Sequence, residues 1–223
     1  MNQTFPAYSR PMESVLETNK VLRNTYMLLA MTLLFSALTA GVAMVTNMPH
    51  PGLLITLGGY FLLLFLTSKF QNSALGILFV FALTGFMGLT LGPILSHYLT
   101  ALPNGSQVVT MALGGTGVIF IGLSAYAVSS RKDFSFLGGF VMAGVLVAFL
   151  AGLGAIFFEL PGLSLAVSAM FVLLMSALIL WQTSAIINGG ETNYIMATVS
   201  LYVAIFNLFT SLLQILGVMG SDE

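Results

Sequence analysis

A chain of 223 residues, of which 58% are hydrophobic and only 6% charged, cannot clothe a water-facing surface, because soluble domains run near a quarter charged. The net charge of −1 leaves no basic surface for nucleic acid, and the lack of cysteine excludes disulfides, thiol chemistry and Cys-based metal sites. The composition describes an all-α polytopic membrane protein whose constant partner is the lipid bilayer.

In chain order, residues 1–24 come first and are polar, carrying Arg10, Glu13, Glu17, Lys20 and Arg23. The apolar run behind them is too long for a signal h-region and shows no clear cleavage site, so this segment reads as a cytoplasmic N-terminal tail. Residues 1–19 contain Pro6 and Pro11, lack a strong apolar period, and are expected to be exposed and mobile.

A helical span needs about 20 apolar residues. Polar punctuation delimits seven runs of that kind. They cover 25–46, 52–68 (short), 74–99, 108–129, 136–158, 163–187 and 195–219. Together they form a transmembrane domain over 25–219, followed by a short C-terminus at 220–223. Strands of a membrane barrel would need about ten residues of alternating polarity, whereas these runs are longer and apolar on both phases. His50 and His97 fall near span ends and read as solvated loop residues.

Lys20, Arg23, Lys69, Arg131 and Lys132 all fall on one side of this seven-span layout, and the opposite loops 47–51, 100–107 and 159–162 hold no Lys or Arg. The positive-inside rule makes that side cytoplasmic, with the N-terminus inside and the C-terminus periplasmic. No charge lies mid-span, where transporters and pumps usually keep one. No paired acids, metal cluster or activated nucleophile is visible, so no catalytic, cofactor or metal residue is assigned and no enzyme is expected.

Within the spans, Gly85, Gly88 and Gly92, with Thr84 beside them, form a small-residue stripe in the third helix, and Gly144, Ala148 and Gly152 form another in the fifth. Such stripes let helix backbones approach closely, or leave a thin region beside a pore. Pro93 removes a backbone donor and should kink or loosen the third helix. In the seventh span Ser200, Asn207, Ser211 and Gln214 fall within about 60° of one another and should face the bundle interior. Gln182, Thr183 and Ser184 add polarity near the cytoplasmic half of the sixth. This interior polar stripe either fixes helix packing through hydrogen bonds or lines a narrow cavity. The connector Asn188-Gly189-Gly190-Glu191-Thr192-Asn193 lacks the lysine and glycine spacing of a phosphate loop, and Thr192 or Asn193 is placed to cap the last helix.

Four blocks carry a family resemblance: VLRNTYMLLAMTLLFSALTA at 21–40, GFMGLTLGPIL at 85–95, SSRKDFSFLGG at 129–139 and NGGETNYIMATVSLYVAIFNLF at 188–209. In this order, across nearly the whole chain, they resemble the Bax-inhibitor (transmembrane Bax inhibitor motif) family, and most closely its bacterial branch that modulates the protease FtsH. The resemblance implies a seven-helix bundle with the last helix near its centre and a place in the bacterial inner membrane. It also implies binding to an FtsH-like membrane protease in protein quality control, with the N-terminal tail as the segment the protease grips. Other family members are described as pH-sensitive calcium leaks built on two aspartates. Those positions align with Gln182 in ILWQT and Ala204 in LYVAIFN, so the carboxylate pair is absent here. The expected function is therefore protease modulation; the alternative is a cation leak, of which the residues leave only a weak, pH-insensitive form open.

Overall fold

A computed structural model describes residues 12–220, with side chains from Lys20 to Gly220. Seven helices occupy the described residues: α1 Met12–Val45, α2 Leu53–Lys69, α3 Ala74–Ala101, α4 Gly105–Ser130, α5 Leu137–Phe157, α6 Pro161–Ile187 and α7 Tyr194–Gly220. No strand occurs among them. Six helices are long and apolar enough to cross a bilayer by length and composition, α1 contributing Lys20–Val45; α2, at 17 residues, falls short of that measure.

The main departure from the predicted spans is the start of α1. The polar segment expected to be a tail to residue 24 is helical from Met12 onward, while residues 1–11 of the expected mobile tail lie outside the described residues. Polarity marks where the hydrocarbon ends, but it does not end a helix: Glu13, Glu17, Lys20 and Arg23 are all sound helix formers. The same reasoning accounts for α4, which begins at Gly105 with Ser106 and Gln107 inside it. Pro93 lies within α3, which continues past it to Ala101.

The connectors are short and closed by local geometry. Arg131 takes a left-handed conformation at φ 51° and ends α4. Pro161 opens α6 at its first turn, where its missing N–H costs nothing. Asn193 opens α7: its Oδ1 accepts from the N–H groups of Ile195 (3.0 Å) and Met196 (3.1 Å).

α1 packs most extensively on α3, and α5 on α6. α7 packs against α1, α3, α4 and α6, and half of its apolar window is buried, the largest share of any of the six long helices. Outward-facing side chains such as Leu34, Leu38, Leu54, Phe65, Val118, Phe140 and Leu173 are exposed and large. Such a belt is a liability in water and the ordinary surface of a protein solvated by lipid. With no water in the hydrocarbon, hydroxyls inside the helices bond to their own preceding turns. Thr90 donates to the Met87 carbonyl and Thr116 to that of Ala112.

Candidate functional site: buried polar groups around the last helix

At the stripe of glycines, α1 and α3 approach closely enough that a side chain would not fit. A Cβ placed on Gly88 would collide with Thr39 Oγ1 and the Ser36 carbonyl oxygen. One on Gly92 would lie 2.5 Å from Ala43 Cβ and 2.7 Å from the Ala40 carbonyl oxygen. At Gly85 the obstacle is the Phe35 ring at 2.6 Å. The second stripe is looser. Gly144 meets the end of the Leu174 side chain at 2.5 Å, and Gly152 has only an ordinary contact, 3.5 Å to Val167 Cγ1.

Beside the first stripe, the Tyr202 side chain of α7 is fully buried. Its hydroxyl donates to the Thr84 carbonyl of α3 at 3.2 Å. The Ser36 hydroxyl of α1 lies 2.7 Å away and supplies the proton that the Tyr202 oxygen accepts. Three helices thus meet on one phenol, in a setting where an unsatisfied hydroxyl would cost about 1–3 kcal/mol. Tyr202 was not singled out from sequence. The available signal was a tyrosine inside an apolar run, whose O–H must find a partner when buried.

The expected polar stripe does not form one cluster. Gln214 is a bridge to α6: Ser168 Oγ donates to its Oε1 and its Nε2 donates to Ser164 Oγ, both at 2.6 Å. Asn207 turns back on its own helix, its Nδ2 donating to the Val203 carbonyl at 2.9 Å. Ser211 is buried, and Ser200 is half-buried. Gln182 is buried on α6, about 21 Å along that helix from Ser168 by the rise per residue. Gln182 and the Gln214 bridge therefore sit towards opposite ends of the bundle.

Around the Gln182 end, α6 is tied to its surroundings by hydroxyls. Thr183 Oγ1 lies 3.4 Å from the Tyr26 hydroxyl of α1. Ser184 Oγ donates to the Lys132 carbonyl at 2.9 Å and accepts from the Phe134 N–H at 3.0 Å, which pins the α4–α5 connector. Thr198 Oγ1 of α7 donates to the Tyr194 carbonyl at 2.7 Å and approaches the Thr25 carbonyl at 3.2 Å. Three buried polar atoms at this level or nearby have no partner: Gln182 Nε2, Thr25 Oγ1 and Ser124 Oγ.

The charges stay away from this interior. Among the side chains described, every carboxylate lies in a connector. Asp133 Oδ1 accepts from the Ser135 N–H at 2.8 Å, Glu191 Oε1 accepts from the Asn193 N–H at 2.7 Å, and Glu159 is exposed. Ala204 is fully buried among Ala148, Leu174, Met175, Ile179 and Leu208. Neither it nor Gln182 can titrate, and a hard cation seeks charged oxygen ligands that neither provides. No group of three or more His, Asp or Glu able to hold a metal occurs among the described residues. The site is one of helix coupling: hydroxyls and amides joining α7 to α1, α3 and α6.

The family model described as Inhibitor of apoptosis-promoting Bax1 matches residues 18–221, nearly the whole of the helical bundle. The chain belongs to this Bax-inhibitor family. It is 54% identical over 209 residues to the Modulator of FtsH protease YccA of Escherichia coli (strain K12), with 94% of each chain covered. It is 58% identical over 207 residues to an uncharacterized protein of Pseudomonas aeruginosa, covering 93% of each. An uncharacterized membrane protein of Vibrio cholerae is 46% identical over the full length of both chains. The resemblance carried by the four sequence blocks, to the YccA branch of the Bax-inhibitor family, is borne out by these matches.

Proposed function

We propose that this chain modulates a membrane-bound ATP-dependent protease of the FtsH type, by binding it, in the quality control of bacterial inner-membrane proteins. The observation that carries the proposal is the likeness to the FtsH modulator, which spans nearly the whole of both chains. The structure supports a binding role over a conducting one: the interior polar groups bond mainly to helix neighbours, and no described carboxylate lies within the bundle. If the proposal holds, raising the level of this chain in cells slows the FtsH-dependent turnover of a second membrane substrate. Pulse-chase labelling of that substrate measures it, and an unchanged half-life at raised levels contradicts the proposal.

The proposed topology has seven crossings, with α2 as a short span. Its 17 residues rise about 25 Å, against about 30 Å of hydrocarbon. Lys69 in its last turn can reach outward along its stem to the headgroups. The one-sided basic residues then put the N-terminus in the cytoplasm and the C-terminus in the periplasm. Reporter fusions after Lys69 and after Glu223 are expected to read cytoplasmic and periplasmic. A cytoplasmic signal at both points overturns the seven-crossing arrangement.

A further inference from the structure

α1 and α4 both pack against α6 and α7 rather than extensively against each other. Between them, at the end of the bundle where α1 enters its apolar span and α4 finishes, a shallow open cleft of about 610 Å³ runs along the flank of the bundle. Its chemistry is graded along its depth. At the rim stand exposed Arg23 of α1 and exposed Ser129 of α4. No described carboxylate pairs with Arg23. About 7.5 Å deeper along α4, by helical rise, the buried Ser124 hydroxyl lies beneath the cleft with no partner. A serine within a helix normally donates to the carbonyl one turn back, so this donor is left over. Beside it, Tyr26 and Phe120 set their rings 6.0 Å apart, and exposed Ile121 completes an apolar floor.

We propose that this cleft is a binding site for a single anionic phospholipid. The headgroup phosphate rests on Arg23 with Ser129 beside it. The glycerol ester carbonyl lies at the level of Ser124, where it can accept the unpaired hydroxyl proton. The acyl chain runs down past Tyr26, Phe120 and Ile121. A transmembrane helix of a partner protein fits this surface less well. It would have to set an acidic side chain against Arg23 and a free acceptor at the level of Ser124, where the carbonyls of a helix are already bonded within their own helix; a phospholipid carries phosphate, ester carbonyl and hydrocarbon in that order. The proposal does not depend on protease binding, nor on which side of the membrane this end faces.

The test is native mass spectrometry of the full chain, purified in neutral detergent and offered dioleoyl phosphatidylglycerol or dioleoyl phosphatidylcholine. The wild type is expected to retain one phosphatidylglycerol in preference to phosphatidylcholine, and inorganic phosphate should not displace it. Arg23→Gln should lower that retention about five-fold, the worth of one basic residue near an anionic lipid surface. Arg131→Gln, at the same end but outside the cleft, should leave it unchanged. Ala125→Trp, an exposed position within the cleft, should abolish retention while the protein still elutes as a single folded species. Equal retention of the two lipids, or equal behaviour of the Arg23 and Arg131 variants, overturns the proposal. So does a photo-crosslinker at position 125 that captures a protein in membranes instead of a lipid.

Discussion

Replacing Gly88 with alanine should lower the melting temperature of the detergent-solubilised protein sharply, and replacing it with leucine should prevent a folded species from accumulating. A Cβ on Gly88 collides with the Ser36 carbonyl oxygen and Thr39 Oγ1 on α1. The carbonyl belongs to a helix backbone and cannot turn aside, so the most extensive seam of the bundle has to open. Forcing extra atoms into a packed seam costs about 1–3 kcal/mol, and separating α1 from α3 also strains the Ser36–Tyr202–Thr84 hydrogen bonds. Gly92→Ala meets a carbonyl as well, at 2.7 Å, and should behave similarly. Gly152→Ala has room and gains helix propensity, worth up to about 1 kcal/mol, so it should melt at or above the wild-type temperature. Thermal unfolding followed by circular dichroism separates these cases. A Gly88→Ala protein as stable as Gly152→Ala contradicts the packing role proposed for the first stripe.

The second large effect is expected at the N-terminus. Deleting residues 2–19 should lengthen the lifetime of the chain several-fold in cells that contain FtsH, with no change in cells that lack it. Residues 2–19 are polar, with Pro6 and Pro11 near the start, and the apolar span begins at Lys20. The deletion therefore leaves the membrane-crossing part of α1 in place. A processive protease needs a polar segment outside the bilayer to grip, and under the proposed topology this segment lies in the cytoplasm. The backbone from Met12 is helical and continuous with the span, so a pull on this end acts directly on α1 and on its seam with α3. Pulse-chase labelling of full-length and shortened chains measures the effect. Equal lifetimes in the presence of FtsH remove the tail from the mechanism.

The helices were legible in the sequence because membrane burial is written in long apolar runs broken by a few polar residues. Asn47, Lys69, Asn104, Arg131, Glu159 and Asn188 all fall at or beside observed helix ends. The start of α1 was not legible, because a polar helix and a polar coil share a composition. Within the bundle, hydroxyls hold several of the inter-helix bonds. Gln214 does bridge to α6, but Asn207 satisfies itself on its own turn, an outcome that helical spacing cannot distinguish from bridging. Tyr202 and Thr198 do not stand out in the sequence, because tyrosine counts as apolar and threonine is common in membrane helices without consequence. Their importance comes from what lies opposite them, Thr84 and Thr25, distant in sequence and adjacent only after folding; Ser184 is visible as a polar residue, but its bond to Lys132 in the α4–α5 connector is not. The α1–α4 cleft was illegible for the same reason, since it exists only because α1 and α4 lean on α6 and α7 instead of on each other.

Direct binding is the measurement closest to the central claim. An affinity-tagged form of this chain and FtsH, reconstituted together in lipid nanodiscs and solubilised gently, should co-elute in a saturable ratio, and untagged chain should compete for the same sites. Failure to associate with FtsH that still degrades a control substrate in the same preparation contradicts the proposal that this chain is a protease modulator.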